Sequence, residues 1–112
     1  MKMNLVSVII PIYNSESFLD EAVQSICRQS YHNLEILLID NCSTDRSREI
    51  IERFSKIDSR VIPIFNETNL GLPKSLNKAL RIAKGKYIAR MDADDISRID
   101  RIHKAFCYRN NS

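Results

Sequence analysis

The sequence predicts a three-layer α/β fold in which a parallel sheet of about four strands carries helices on both faces. Two observations lead to this prediction. Short runs of apolar, often β-branched residues alternate with segments whose apolar residues repeat every three or four positions. The connections between successive strands are long enough for right-handed helical crossovers, which make neighbouring strands parallel.

The first strand and the first helix begin the chain. Residues 5–12 read LVSVIIPI, an almost continuous apolar run typical of a strand covered on both faces. The run is too short for a membrane span or a signal-peptide core. Asn14 and Ser15 are predicted to cap the helix that follows. The predicted buried face of that helix contains Leu19, Ala22, Val23, Ile26 and Cys27.

Residues 34–39 form the second predicted strand, which ends on Asp40. Ser43, Thr44 and Asp45 are predicted to cap a second helix. The side of that helix predicted to be buried carries Ile50, Ile51, Phe54 and Ile57.

The third strand is the short segment Val61–Phe65, and a turn at Asn69-Leu70-Gly71 precedes the third helix. Pro73 fits the first helical turn, where its missing N–H has no partner to lose. Gly85 is expected to close the helix in the left-handed conformation. The predicted buried stripe of the helix contains Leu72, Leu76, Leu80 and Ala83.

The fourth strand, residues 86–90, leads directly into an acidic segment that contains Asp92, Asp94 and Asp95. Beyond that segment, Ile99, Ile102 and Phe106 have the spacing of a last amphipathic helix over residues 98–108.

The composition is that of a single globular domain, residues 1–112. Hydrophobic residues make up 44% of the chain and charged residues 28%, which excludes a disordered protein. The net charge of +3 suits an anionic small molecule and is too small for a nucleic-acid-binding surface. Cys27, Cys42 and Cys107 have no metal-binding spacing and favour a reducing cytoplasm.

Polar residues follow every predicted strand, at the edge where parallel sheets bind ligands. The chain has only two glycines, Gly71 and Gly85, and neither belongs to a phosphate-binding loop. A phosphorylated ligand would therefore need a cation, and Mg²⁺ or Mn²⁺ held by carboxylates is the expected one. The residues at this edge are Tyr13, Asn14, Asp40, Asn41, Asn66, Glu67, Asp92, Asp94 and Asp95.

The residues alone leave two interpretations of the acidic segment open. Asp92 and Asp94 point to the same side of an extended segment, so one can hold a metal while the other meets the ligand. Alternatively, the segment caps the helix that follows. Asp40 poses a similar choice, between binding a base or ribose and bonding the backbone of its own turn. Asp45 is interpreted as a turn residue.

Four segments occur in a characteristic order and cover nearly the whole chain: VSVIIPIYN at 6–14, LIDNCSTD at 38–45, NLGLPKSLN at 69–77 and AKGKYIARMDADD at 83–95. Together they resemble the family-two glycosyltransferases of the A-type (GT-A) fold. The resemblance implies the N-terminal half of a Rossmann-like GT-A fold. It also implies that the ligand is a nucleotide-diphosphate sugar, with a UDP-sugar as the expected donor, and that the reaction is inverting glycosyl transfer.

The resemblance implies roles for residues of the nucleotide site. Pro11, Tyr13, Asn14 and Glu16 match the turn that cradles the base and the ribose. Asp40 matches the carboxylate that recognises the base, typically uracil. The family often has Asp-Asp-Gly-Ser where this chain has Asp-Asn-Cys-Ser at 40–43.

The resemblance also implies a metal site. Asp92 matches the carboxylate that faces the ribose and the metal, and Asp94 matches the one that coordinates Mn²⁺ or Mg²⁺ at the diphosphate. Lys74 lies in the segment that reaches the nucleotide.

Family members continue past the Asp-x-Asp segment into an acceptor-binding part that supplies the catalytic base. We expect this chain to be truncated before that part, to contain no catalytic residue, and to keep the donor site while losing transfer. Its uncovered apolar surface predicts a homo-oligomer. The expected location is the cytoplasm, with peripheral association at the inner face of the membrane left open for the full-length protein.

Two alternatives come from other functional classes. A non-catalytic nucleotide-binding or interaction module would keep the half-fold without the chemistry. A phosphoacceptor receiver domain would share the parallel sheet and the Asp residues around Mg²⁺, but Tyr13 and Asn14 stand where it needs an acidic pair.

Overall fold

The computed structural model describes residues 4–93 and the backbone of residues 108–109, and it contains one sheet with helices on both faces. The four predicted parallel strands and the first three predicted helices are confirmed. In chain order the elements are β1 Val6–Ile12, α1 Glu16–Cys27, β2 Leu34–Asp40, α2 Ser47–Ile57, β3 Val61–Phe65, α3 Leu72–Ile82, β4 Tyr87–Arg90 and β5 Tyr108–Arg109.

The sheet has the strand order β3-β2-β1-β4-β5. β1 pairs in parallel with β2 and with β4, and β2 pairs in parallel with β3. The chain thus moves outward from β1 to β3 and then returns to the other side of β1, so the order reverses between β1 and β4. Open α/β sheets bind ligands at such a reversal, outside the carboxyl ends of the strands.

β1 is buried on both faces because its side chains alternate between two helical layers. Val8 and Ile10 pack in the cluster that also contains Leu19 of α1 and Phe54 of α2. Ile9 packs in a second cluster, which lies beneath α3. The two-sided burial explains why the strand is an almost continuous apolar run.

The starts of α1 and α2 differ in detail from the prediction. Ser15 is the N-cap residue of α1, but its side chain makes no capping bond and donates instead to the Tyr13 carbonyl at 3.1 Å. α2 begins only at Ser47, so capping by Ser43 and Thr44 is wrong: the chain uses these residues earlier, in the loop.

The buried side of α2 is shorter than predicted. Ile51 and Phe54 are buried, whereas Ile57 is 70% exposed, so its predicted burial is wrong. Ile57 is the last residue of α2, one turn beyond Phe54, where the helix no longer packs on the sheet.

The predicted buried stripe of α3 is confirmed for Ala83, which is buried, and in part for Leu76, which is half-buried against the same cluster. Ser75, Ala79 and Ala83 are buried, while Leu72 is 45% and Leu80 is 38% exposed. The prediction for these two leucines is wrong because small side chains at i, i+4 and i+8 let the helix backbone approach the sheet closely. The leucines are left on the flanks of the helix.

Gly85 does not take the predicted left-handed conformation; among the described residues only Gly71 is a glycine with positive φ, at 83°. α3 ends at Ile82, and Gly85 instead permits a close approach to β1. Its N–H donates to the Ser7 hydroxyl at 2.8 Å, and a Cβ at this position would lie 2.5 Å from the Ser7 backbone nitrogen.

The last predicted helix, over residues 98–108, lies almost entirely outside the described residues. Tyr108 is described, and it is in a strand rather than a helix: Tyr108–Arg109 pairs antiparallel with β4.

Asp58 and Arg60 join three elements at the amino-terminal edge of the sheet. Arg60 pairs with Asp58 through its side chain at 2.8 Å and also donates to the carbonyls of Cys27 and His32. Hydrogen bonds from Arg60 hold the pKa of Asp58 at about 2, below its ordinary 3.8, although burial opposes this shift.

We expect Asp58→Asn to lower the free energy of unfolding by about 1–2 kcal/mol at neutral pH. A carboxylate whose folded pKa is depressed stabilises the protein above its unfolded pKa, and this stabilisation is lost as the pH falls through the folded pKa. The difference between variant and wild type should therefore shrink between about pH 4 and pH 2. Urea denaturation across this range measures it. Asp20→Asn, which breaks the more exposed Asp20–Arg53 pair, is the control and should cost less than about 1 kcal/mol.

Candidate functional site

A cleft of about 350 Å³ opens at the carboxyl ends of β1 and β4, where the strand order reverses. The loop from β1 to α1 forms one wall, the start of α3 forms another, and the residues after β4 complete it. This placement agrees with the edge of the sheet that the sequence predicts as the binding site.

Four of the predicted site residues line this cleft: Pro11, Tyr13, Asn14 and Asp92. The Tyr13 side chain is 51% exposed, so its ring is available to a ligand. These residues come from both sides of the reversal, because β1 and β4 are neighbours in the sheet although far apart in the chain.

Two further predicted residues do not line the cleft. Glu16 and Lys74 are exposed, each in the first turn of its helix, and neither side chain lines the cavity. Asp94 and Asp95 lie outside the described residues.

Asp40 lies behind the cleft and is fully buried. One carboxylate oxygen accepts the Ser43 hydroxyl at 2.5 Å, and the other accepts the Ser43 N–H at 3.1 Å. The carboxylate thus bonds its own turn, which is one of the two interpretations that the sequence leaves open. The neighbouring residue, Asn41, lines the cleft instead.

Ser43 connects Asp40 to the loop that follows β1. Its hydroxyl donates to Asp40 and accepts the backbone N–H of Asn14 at 2.9 Å. The Asn14 side-chain oxygen in turn accepts the N–H of Thr44 at 2.8 Å. We call this set of bonds between the β1–α1 and β2–α2 loops the loop clasp.

The loop clasp continues at the N-terminus of α1. The N–H of Ser15 donates to the Ser47 hydroxyl at 2.9 Å, and the N–H of Glu16 donates to Asp45 at 3.1 Å. Asp45 also accepts the N–H of Ser47, so its interpretation as a turn residue is confirmed. Three consecutive backbone amides, at residues 14–16, are therefore bonded to side chains of the neighbouring loop.

Asn14 and Cys42 both have positive φ, of 47° and 64°. Asparagine tolerates this conformation, whereas cysteine rarely adopts it. Cys42 stands where the resembled family often has glycine, so the turn keeps the glycine-like backbone without the glycine.

A second polar network, which the sequence did not reveal, supports the α3 wall. The Asn41 side-chain oxygen accepts the N–H of Leu70 at 2.8 Å, and its amide nitrogen donates to Asn69 at 2.8 Å. Asn66 donates to the Ser75 hydroxyl at 2.9 Å. Asn41 and Ser75 both line the cleft, so this network fixes the start of α3 against the end of β2. The asparagines after β2 and β3 were its only signal in the sequence.

Among the other cleft residues that were missed, three have exposed side chains. Phe18 is 57% exposed and Leu72 is 45% exposed, and both contribute apolar surface to the cavity. Arg90 also lines the cleft, and its guanidinium lies 3.2 Å from an Asp92 carboxylate oxygen. The spacing of Arg90 and Asp92, two apart in an extended segment, was the available signal.

Of the two predicted metal ligands, only Asp92 belongs to the described residues. Its side chain is 57% exposed at the edge of the cleft, and a carboxylate is the oxygen donor that Mg²⁺ and Mn²⁺ prefer. Within residues 4–93, no group of three or more His, Cys, Asp or Glu side chains is placed to hold a metal ion. The described residues thus offer a cation in the cleft one carboxylate, that of Asp92, and cations of this kind commonly take further ligands from substrate phosphates.

Residues 7–107 match the sequence profile described as Glycosyl transferase family 2. The match covers the three helices, β2 to β4, all of β1 but its first residue, and the cleft. The chain belongs to glycosyl transferase family 2. This membership confirms the resemblance drawn from the four sequence segments, and it decides against the receiver-domain alternative.

Relatives and solved structures support the same assignment for this family 2 chain. An uncharacterized glycosyltransferase of Haemophilus influenzae is 48% identical over 104 residues, which are 93% of this chain and 32% of that protein. The crystal structure of S. aureus TarS 1–349 in complex with UDP is 33% identical with a TM-score of 0.82, over 92% of this chain and 31% of that one. The mannosyltransferase PcManGT from Pyrobaculum calidifontis, in complex with GDP-Man and Mn²⁺, is 30% identical with a TM-score of 0.74, over 80% of this chain and 27% of that one.

The family 2 chain thus spans about a third of the length of the Haemophilus relative and of TarS 1–349. The fold that it shares with TarS is the Rossmann-like N-terminal portion of GT-A, as predicted. None of the helices in the described part of the chain has the length and apolar character needed to cross a membrane.

Proposed function

We propose that this chain is the donor-binding region of a glycosyltransferase and binds a nucleotide-diphosphate sugar in the cleft through a divalent cation. The observation that carries the proposal is the composition of the cleft. An exposed aromatic ring, Tyr13, lies on one wall, and the Asp92 carboxylate lies at the end of the neighbouring strand. A nucleotide needs both, because its base binds to apolar and aromatic surface while its diphosphate is anionic.

The loop clasp supports the requirement for a cation. A helix N-terminus can bind phosphate through its unpaired amides. At α1 those of residues 14–16 already donate to Ser43, Ser47 and Asp45. At the start of α3, the N–H groups of Leu70 and Gly71 donate to Asn41 and Asn69. Five amides next to the cleft, at residues 14–16, 70 and 71, are thus bonded within the protein, and this favours cations for balancing the charge of a diphosphate.

We assign Pro11, Tyr13 and Asn14 to the wall that receives the base and ribose, and Asp92 to the metal. Asp94 is proposed as the second carboxylate of the metal site. When bound, Mn²⁺ or Mg²⁺ would neutralise the diphosphate leaving group as a Lewis acid. Inverting transfer in the whole protein, with a base supplied from beyond this segment, is part of the proposal. Self-association through apolar surface also stays a prediction.

The test is calorimetric titration of UDP into the chain, with Mn²⁺ and with EDTA. We expect Mn²⁺ to tighten UDP binding about tenfold, since each additional charge-balanced phosphate contact contributes of the order of 1–2 kcal/mol. Asp92→Asn should reduce UDP affinity in Mn²⁺ to the value measured in EDTA. Asp94→Asn tests the second ligand in the same way, and a parallel titration with GDP compares the two nucleotides that the solved relatives contain.

Glu67→Gln is the matched control, because it removes the same charge from an exposed residue that follows β3 but does not line the cleft. Its UDP affinity should equal that of the wild type. Binding of UDP that is equally tight with Mn²⁺ and with EDTA would contradict the metal site. No binding of UDP or GDP under either condition would contradict the donor site itself and favour a non-catalytic interaction module.

A further inference from the structure

We propose that Arg90 is a phosphate-binding residue of the cleft that exchanges partners: it pairs with Asp92 in the empty cleft and with the donor's diphosphate when a cation takes Asp92. The inference rests on the proposed function. It adds Arg90 to the residues that bind the donor, and it states which partner Arg90 has before and after the donor binds.

The position of Arg90 in the sheet directs it toward the cleft. Arg90 is the last residue of β4 and lies in register with Ile9 of β1. Strand alternation puts its side chain on the same face as that of Ile88, which packs in the cluster beneath α3. This face continues into the cleft wall formed by Leu72 and Ser75 of α3. The guanidinium therefore belongs to the cavity rather than to the outer surface of the sheet.

Arg90 is the only basic residue among the described residues that line the cleft. Lys74, which the family resemblance favoured, is exposed and does not line it. Lys78 is on the same helix, but its amine donates to Asn66 at 2.9 Å and so stabilises the asparagine network. In the described part of the chain, the protein cation available to an anionic ligand of this cleft is Arg90.

The Arg90–Asp92 pair can be exchanged at little cost. One guanidinium nitrogen lies 3.2 Å from one carboxylate oxygen, and the two side chains are 47% and 57% exposed. Such pairs stabilise a protein by less than about 1 kcal/mol. A phosphate offers the guanidinium two parallel charge-assisted bonds, which are stronger than the single contact with Asp92.

The exchange predicts effects of opposite sign. Without nucleotide, Arg90 competes with a metal ion for the Asp92 carboxylate, so removing Arg90 should strengthen the binding of Mn²⁺ alone. With nucleotide and saturating Mn²⁺, Arg90 contributes a phosphate contact, so removing it should weaken UDP binding.

The variant Arg90→Gln tests both effects. Binding of Mn²⁺ alone is followed by the electron paramagnetic resonance signal of the free ion, and we expect it to tighten about threefold. UDP binding at saturating Mn²⁺ is measured by calorimetry, and we expect it to weaken about tenfold. Arg90→Lys keeps the charge without the planar fork and should recover only part of the UDP affinity.

Arg81→Gln is the matched control, since it removes the same charge from an exposed position on α3 outside the cleft. Both affinities should stay within about twofold of the wild type, because exposed charges at this distance are screened. If Arg90→Gln binds UDP as tightly as Arg81→Gln does, the phosphate role is overturned. If it binds Mn²⁺ alone more weakly than the wild type, the exchange is overturned. Failure of the wild type to bind UDP at all would overturn the proposed function together with this inference, so the two failures are distinguishable.

Discussion

Replacing Gly85 with alanine is expected to lower the free energy of unfolding by about 3 kcal/mol. An alanine Cβ would lie 2.5 Å from both the backbone nitrogen and the hydroxyl of Ser7, and 3.0 Å from the Leu5 carbonyl oxygen. The backbone atoms belong to β1 and its lead-in, at the centre of the sheet, and cannot move without disturbing the pairing with β2 and β4. The Gly85 N–H bond to the Ser7 hydroxyl should be lost as well. Urea denaturation followed by circular dichroism measures the effect.

Gly71→Ala is the control for this prediction. Gly71 has a φ of 83°, but a Cβ there would meet no atom within 4 Å. Only the backbone conformation opposes the substitution. With ψ at 161°, Gly71 lies in a region that is essentially restricted to glycine, so alanine there costs of the order of 2 kcal/mol. If Gly85→Ala lowers the free energy of unfolding no more than Gly71→Ala does, then β1 can shift to make room for the added Cβ. That result would contradict the close-approach explanation.

Asp40→Asn is expected to cost about 2–3 kcal/mol of stability and to weaken UDP binding about tenfold. Both Asp40 oxygens accept hydrogen bonds from Ser43, so an amide nitrogen in place of one oxygen sets two donors against each other. Ser43 then no longer holds the Asn14 amide in place, and the wall of the cleft loosens. Urea denaturation and calorimetry with UDP and Mn²⁺ measure the two effects.

Ser43→Ala shows how Asp40 acts on the nucleotide. If Asp40 acts through Ser43, then Ser43→Ala weakens UDP binding by a similar factor, and the double variant is little worse than either single variant. If Asp40 bonds the base directly, as the family resemblance implied, then Ser43→Ala leaves most of the UDP affinity intact. Thr44→Ala, which removes only the weaker 3.3 Å bond to Asn14, is the control and should have a small effect.

The sequence predicted the parallel sheet well because the signals of strands buried on both faces are strong. β1 and β2 are nearly continuous apolar runs, and both are buried along almost their whole length. The burial of α3 could not be predicted in the same way. Leucine spacing pointed to Leu72 and Leu80, but the buried side of the helix carries Ser75 and Ala79, with Ala83 just beyond its end. The rotation of a helix about its axis on a sheet depends on tertiary packing, which leucine spacing alone does not reveal.

The site was predictable where the parallel arrangement of the strands determines position. Tyr13, Asn14 and Asp92 follow the carboxyl ends of parallel strands, so their convergence on one edge of the sheet was predictable, whereas Pro11 came from the family resemblance. The sequence did not show that Asn41 lines the cleft and that its neighbour Asp40 does not. Consecutive residues at a strand end point to opposite sides, and the side that faces the cleft depends on tertiary packing. Arg90 was missed because a basic residue at a strand end is ordinarily solvated.

The loop clasp gives the cleft an adaptability that glycine-rich nucleotide sites lack. A glycine loop presents main-chain N–H groups to its ligand, and these groups are the same for every residue type except proline, which has none. Here the N–H groups of residues 14–16 bond within the protein, and the cavity presents the exposed side chains of Tyr13 and Arg90. A single substitution changes each of these side chains, so the same framework can be adapted to a different donor one residue at a time.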